Sequence, residues 1–286
     1  MLKTILIILS VVLVVILLIF IVSFIANLAF NQQVEKEVKE LFGVGKVKTN
    51  EQIVQEKDLE GLPEPVQRWL RYSQVVGKDR ITTVRSKQSA LLRTKQDQPW
   101  MATEAENYYT IPQPGFIWHA KIKAAPLVHI AGRDKYYQGN GNMLIKFLSL
   151  FTVANAKGKE INQGSLIRYL AESVWFPTAA LNSYIIWEEI DSNSAQATIS
   201  YKGITAAGTF FFNEKGEPIN FIAERYMESN GEYSLETWSV LVGDYKEFSG
   251  FKVPTTGEVT WKLKTGDFKW FQFELKEIEY NTPIAY

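Results

Sequence analysis

The residues with the clearest chemical potential lie within one stretch, Ser165 to Leu181, which reads SLIRYLAESVWFPTAAL. Arg168 and Glu172 are four apart, so on a helix they share a face and can pair. Leu166, Leu170 and Val174 recur at helical spacing with Tyr169 beside them, so that helix is expected to be largely covered. A carboxylate in such a place must be paired or neutral. An ion pair locking helix to sheet is the plainer reading, and a ligand contact or acid–base role the sharper one. Trp175, Phe176, Pro177 and Thr178 then form a bulky corner that Trp118, Trp187 and Trp238 can join from strands. The bland account is an aromatic core; the sharper account is an apolar cavity that accepts a lipid-like ligand. The candidate pocket is therefore Arg168, Glu172, Trp175, Trp118, Trp187 and Tyr169, with Arg168 set to meet an anionic headgroup and Trp175 the apolar part.

Other chemistry is sparse. The two histidines, His119 and His129, fall on neighbouring expected strands, and a carboxylate such as Asp134 would complete a metal site with them. No HExxH or HxH spacing supports that, and histidines on aromatic strands are more often surface or satisfied core residues. Glu172 with His119 or His129 would make a hydrolase or isomerase only if these groups converge. There is no G-x-S-x-G elbow and no Walker loop. Gly139-Asn140-Gly141-Asn142 lacks the strand–loop–helix context of a phosphate cradle and reads as a hairpin turn or bulge. The absence of cysteine excludes disulfides, thiol catalysis and cysteine zinc sites. Lys plus Arg and Asp plus Glu are both 31, so no charge excess points to nucleic acid. No catalytic residue, cofactor or metal ligand is assigned.

The elements that must position these residues begin with an anchor. Ile5 to Phe30 is apolar apart from Ser10, Ser23 and Asn27, long enough to cross a bilayer and far longer than the core of a cleaved signal peptide. Lys3 favours a cytoplasmic amino terminus, Lys36 and Lys39 oppose it, and the short N-terminal tail resembles a signal anchor. The expectation is a single-pass protein of the cell membrane with its soluble domain extracytoplasmic. Asn31 to Phe42 carries a narrow stripe of Val34, Val38, Leu41 and Phe42, read as a stalk broken at Gly43 and Gly45. Lys46 to Asp58 reads as linker, and Leu62 to Tyr72 as a short helix burying Val66, Trp69 and Leu70. This divides the chain into an anchor (1–30), a stalk and linker (31–61) and one β-rich domain (62–286).

Within that domain, apolar and polar residues alternate in about a dozen segments from Ile81 onward. Val259, Trp261 and Leu263 share one face, as do Trp238, Val240 and Val242, and Phe271, Phe273 and Leu275. Asn213–Gly216, Ser229–Gly231 and Lys264–Gly266 read as hairpin turns. The fold class is mainly β (α+β): an N-terminal transmembrane helix, then a large curved antiparallel sheet or open half-barrel with a few helices on its concave side. The central helix is expected to start at Ser165, capped after Gly164, and to end at Pro177.

LPEPVQRWLRY, PGFIWHAKI, RDKYYQGNGNM, the central RYLAE-WFPTA stretch, Trp187 before Asp191, and Gly250 to Pro254 together resemble a family of uncharacterised bacterial proteins, over roughly Leu62 to Tyr280. That resemblance implies no activity. The architecture also resembles the half-barrel of lipoprotein carriers, without a motif match. The functional expectation is a membrane-anchored protein that binds an apolar or amphiphilic ligand at the cell envelope without catalysis. An envelope interaction or structural module is the alternative, and the enzyme built on Glu172 ranks below it.

Overall fold

The structure, a computed structural model, describes residues 1–44 and 53–286. Gly45 and most of the expected linker lie outside the described residues. Val54 and Leu59, at the far end of that stretch, are fully buried in the main core.

Two antiparallel meanders make one thirteen-stranded sheet. The first comprises β1 (Thr83–Leu92), β2 (Met101–Thr110), β3 (Gly115–Ala125), β4 (Val128–Tyr137), β5 (Asn140–Phe147) and β6 (Phe151–Ala156). The second comprises β7 (Ile185–Asp191), β8 (Ser194–Tyr201), β9 (Ile204–Phe212), β10 (Pro218–Ser229), β11 (Glu232–Phe248), β12 (Phe251–Leu263) and β13 (Gly266–Tyr280). They join where β1 pairs with β13, so β6 and β7 are the sheet edges. The sheet curls into a half-barrel: Tyr136 on β4 lies 6.5 Å from Tyr201 at the end of β8, and the β8–β9 turn packs on Gly139 of the β4–β5 turn. The right-handed twist of strands accumulates over so many of them, and the aromatic inner face draws them around a common core.

Helix α3 (Lys159–Glu172) connects the two meanders and lies inside the curl, followed by 3-10 turns at Ser173–Trp175 and Pro177–Leu181. The expected start at Ser165 is corrected: the helix begins six residues earlier, with Gly164 and Ser165 inside it. Gly164 is not a stop. It lets Arg225 approach, because a Cβ there would sit 3.3 Å from Arg225 Nε. Helix α2 (Glu64–Tyr72) also packs into the main core, where Trp69 meets Phe210 and Trp187.

The long helix α1 (Leu2–Val44) departs from the expected arrangement. It passes through Gly43 without a break, and its stripe is not one side of a free stalk. Phe30, Val34, Val38, Leu41 and Phe42 are buried against Tyr108, Ile117 and Ala131. These sheet residues alternate with Tyr109 and Phe116 of the main core, so α1 covers the outer face while α3 fills the inner one. Glu37 of α1 adds ion pairs with Arg133 at 3.0 Å and Lys135 at 3.3 Å.

Candidate functional site

Three elements supply one charged cluster on the inner face. The Arg168–Glu172 pair on α3 forms as the spacing requires, with Arg168 Nε donating to Glu172 Oε1 at 2.8 Å. Arg168 Nη1 donates to Asp134 Oδ2 on β4, also at 2.8 Å. The guanidinium lies over the rings of Phe116, at 4.8 Å, and Trp118, at 5.5 Å, so its planar face is covered by aromatics while its edge is spent on carboxylates. The side chains of Arg168, Glu172 and Asp134 all keep partial contact with solvent.

Arg225 on β10 brings a second guanidinium to the cluster. It donates from Nε to the carbonyl of Gly164 at 3.1 Å and stacks over Trp238 at 4.7 Å. Among the described residues it makes no ion pair within salt-bridge distance. Burial, and then the neighbouring Arg168 charge, lower its pKa to about 10. Burial pushes the carboxyls of Asp134 and Glu172 above their ordinary values, against the opposing pull of Arg168. Burial also works against the Arg168 charge, but Glu172 and Asp134 outweigh it and raise its pKa. Tyr109, fully buried beside Glu172, is held far above the usual phenol range by burial and then by that carboxylate. A cavity of about 60 Å³ opens beside the cluster, lined by Asp134, Asn142, Met143, Ser165, Arg168 and Arg225 among others.

The six expected pocket residues separate. Arg168, Glu172 and Trp118 belong to the cluster. Trp175 lies in the core just beyond it, donating from Nε1 to the carbonyl of Pro254 at 3.0 Å and packing on Phe273. Tyr169 is fully buried, its hydroxyl donating to the carbonyl of Thr110 at 3.1 Å. Trp187 sits with Trp69 and Phe210 on the α2 side and donates to the carbonyl of Ala180. Trp175 and Tyr169 lie in the core and Trp187 packs against it, each with its polar atom bonded to a backbone carbonyl. The sequence offers Asp134 only as a metal ligand and does not single out Arg225. A signal for Arg225 was present, because it continues the inward phase of Phe221 and Ala223, where an apolar residue belongs.

The required meeting of Glu172 with an imidazole does not occur. His119 packs on Phe30 of α1, and His129 bonds Ser149 beside Asn27, so both face outward on the α1 side. Among the described residues, no group of three or more His, Cys, Asp or Glu is placed to hold a metal ion. Of the two guanidiniums, Arg225 is the one bonded to no carboxylate among the described residues, so it has donors left to orient an anionic group beside aromatic surface.

A family model matches residues 52–273, well over half of the chain; its description is a family of unknown function (DUF6544). The chain belongs to this family. The matched residues include the RYLAE-WFPTA stretch, which carries Arg168, Glu172 and the turn after them. Comparison with curated proteins yields no match. Among solved structures, a LolA-superfamily protein from Nitrosomonas europaea is similar at 10% identity, over 75% of this chain and 92% of that one, with a TM-score of 0.41. A β-barrel-like protein of the DUF1849 domain of unknown function from Brucella abortus is similar at 10% identity, over 70% and 98%, with a TM-score of 0.19. Both are distant likenesses, and neither bears on the site.

Proposed function

We propose that this DUF6544 member is a single-pass membrane protein, its β-rich domain extracytoplasmic, that holds an anionic amphiphile inside the half-barrel without transforming it. The observation that carries the reading is Arg225, a guanidinium that among the described residues bonds to no carboxylate, beside a small cavity already bordered by Arg168. A partly buried guanidinium that Asp134 and Glu172 compensate only through space is costly to hold, so an anionic group bonded to it would relieve part of that cost. Apolar surface continues away from the charges on the same face. Met143 and Ile145 of β5 share the register side of Asp134 and Gly132, and Ile130 lies opposite Ile122 and Phe147. Such a surface suits an acyl chain or a comparable apolar tail. Helix α1 is long and apolar enough to cross a membrane and would keep the site next to a lipid source.

Native mass spectrometry of the full chain released from lipid nanodiscs tests this. Wild type is expected to retain an anionic amphiphile at unit stoichiometry, and Arg225→Gln to lose it while keeping the fold. A wild-type protein without any adduct, and without affinity for a fluorescent anionic lipid, would overturn the reading.

A further inference from the structure

We infer that one end of the half-barrel, formed by the β3–β4 and β5–β6 turns, sits in the headgroup layer of the bilayer that α1 crosses, so that the inner face opens toward the membrane. This rests on α1 being the anchor. The reasoning starts with the helix itself. About 20 residues, Ile5 to Phe24, suffice for a hydrocarbon core of roughly 30 Å at 1.5 Å per residue. The end of this run and the residues just after it are bonded to the sheet. Ser23 Oγ donates to the carbonyl of Leu148 at 2.8 Å, and Ser149 Oγ donates to Asn27 Oδ1 at 3.0 Å. His129 Nε2 shares the same serine hydroxyl at 2.9 Å. Because α1 is one helix from Leu2 to Val44, the level of Ser23 and Asn27 is set by the span, and the turns bonded there share it.

Those turns carry the residues an interface needs. Leu127 is 80% exposed at the tip of β3–β4, while Phe151 and Val153 after the β5–β6 turn are 64% and 62% exposed. Exposed aromatic and aliphatic side chains grouped at one end of a sheet mark a surface that something apolar covers. Residues 120–130 and 144–157 contain Lys121, Lys123, Lys146 and Lys157 and no Asp or Glu, although the chain as a whole is neutral. Apolar tips with lysines behind them fit a lipid surface, where the rings enter the acyl boundary and the ammonium groups reach phosphates. A protein partner would match the apolar tips, but nothing would then tie their level to the end of the span.

The chain has no cysteine, so single positions can be labelled cleanly. Full-length Leu127→Cys, Phe151→Cys, Ile16→Cys and Glu214→Cys, each carrying the same fluorophore, are placed in phosphatidylcholine–phosphatidylglycerol nanodiscs containing brominated phospholipid. Ile16 lies within the span, and Glu214 is exposed in the β9–β10 turn at the opposite end of the sheet. Brominated lipid is expected to quench labels at 16, 127 and 151 several-fold and to leave 214 unchanged. Quenching at 16 but not at 127 or 151 overturns the inference and leaves the anchor standing. No quenching at 16 overturns both. Labels at 127 and 151 that are shielded from aqueous iodide yet insensitive to brominated lipid also overturn it, because a protein then covers the tips.

Discussion

Arg168 donates to two carboxylates from two elements, and its guanidinium also lies over the rings of Phe116 and Trp118. Removing it leaves Glu172 and Asp134 without the cation bonded to them, and with only the more distant Arg225 charge, in a largely covered place. Arg168→Met should lower unfolding free energy by about 3 kcal/mol, and adding Asp134→Asn with Glu172→Gln should recover much of that loss. Urea unfolding in detergent micelles measures both, and additive losses would contradict a shared network. The pH dependence follows from the raised carboxyls. A group whose pKa is higher in the folded state keeps its proton there after the unfolded chain has released it. Its stabilising effect is therefore full below the ordinary value, 4.5 for Glu172, and is lost as pH rises through the raised one. Thermal midpoints of wild type should accordingly fall relative to Glu172→Gln from about pH 4.5 upward, whereas parallel curves would show that Glu172 is not perturbed. The i, i+4 spacing made the Arg168–Glu172 pair legible, since four residues on a helix meet without help from the rest of the chain. Asp134 and Arg225 were not, because they are 34 and 57 residues from Arg168 and only the curl of the sheet brings them to it.

At the scale of elements, the position of α3 depends on two glycines. A Cβ on Gly141 of β5 would lie 2.6 Å from the Ile161 carbonyl and from Ser165 Oγ, so Gly141→Ala must push helix from strand. A loss of about 1–3 kcal/mol is expected from such overpacking, read by chemical denaturation. Gly164→Ala should behave differently. The new methyl meets the end of a flexible arginine, and the gain in helix propensity, about 1 kcal/mol, offsets the contact. Stability should hold or rise while Arg225 is displaced, so the amphiphile adduct seen by native mass spectrometry should shrink. A stable Gly164→Ala protein with an undiminished adduct would count against Arg225 as the ligand contact. Strand β12 shows why one element was half missed. Its alternation is clear from Glu258 onward, yet it starts at Phe251 and contains Pro254. Up to Thr255 it pairs with β11 alone, so its other edge is free of ladder bonds and tolerates proline. The Pro254 carbonyl there receives Trp175 Nε1 instead.

At the scale of the molecule, α1 is both a membrane-length helix and a piece of the domain. Its docked half buries a stripe against β2, β3 and β4. Leu41→Ala should therefore cost about 2–4 kcal/mol of domain stability, a penalty that a free stalk would not show. Denaturation of the full chain in micelles tests this directly. The amino-acid sequence by itself determined whatever depends on near neighbours: an apolar run long enough to span a bilayer, strands that alternate, hairpin turns, and one arginine–glutamate pair. A period of two assigns alternate residues to opposite faces but does not say which face is inside. That was decided by where the helices dock. With α3 within the curl and α1 outside it, His119 and His129 turn away from Glu172, while Asp134 and Arg225 converge on Arg168. The physical reason is that a sheet acquires an inside only when its twist closes it around a core, which is a property of thirteen strands together and of no single one.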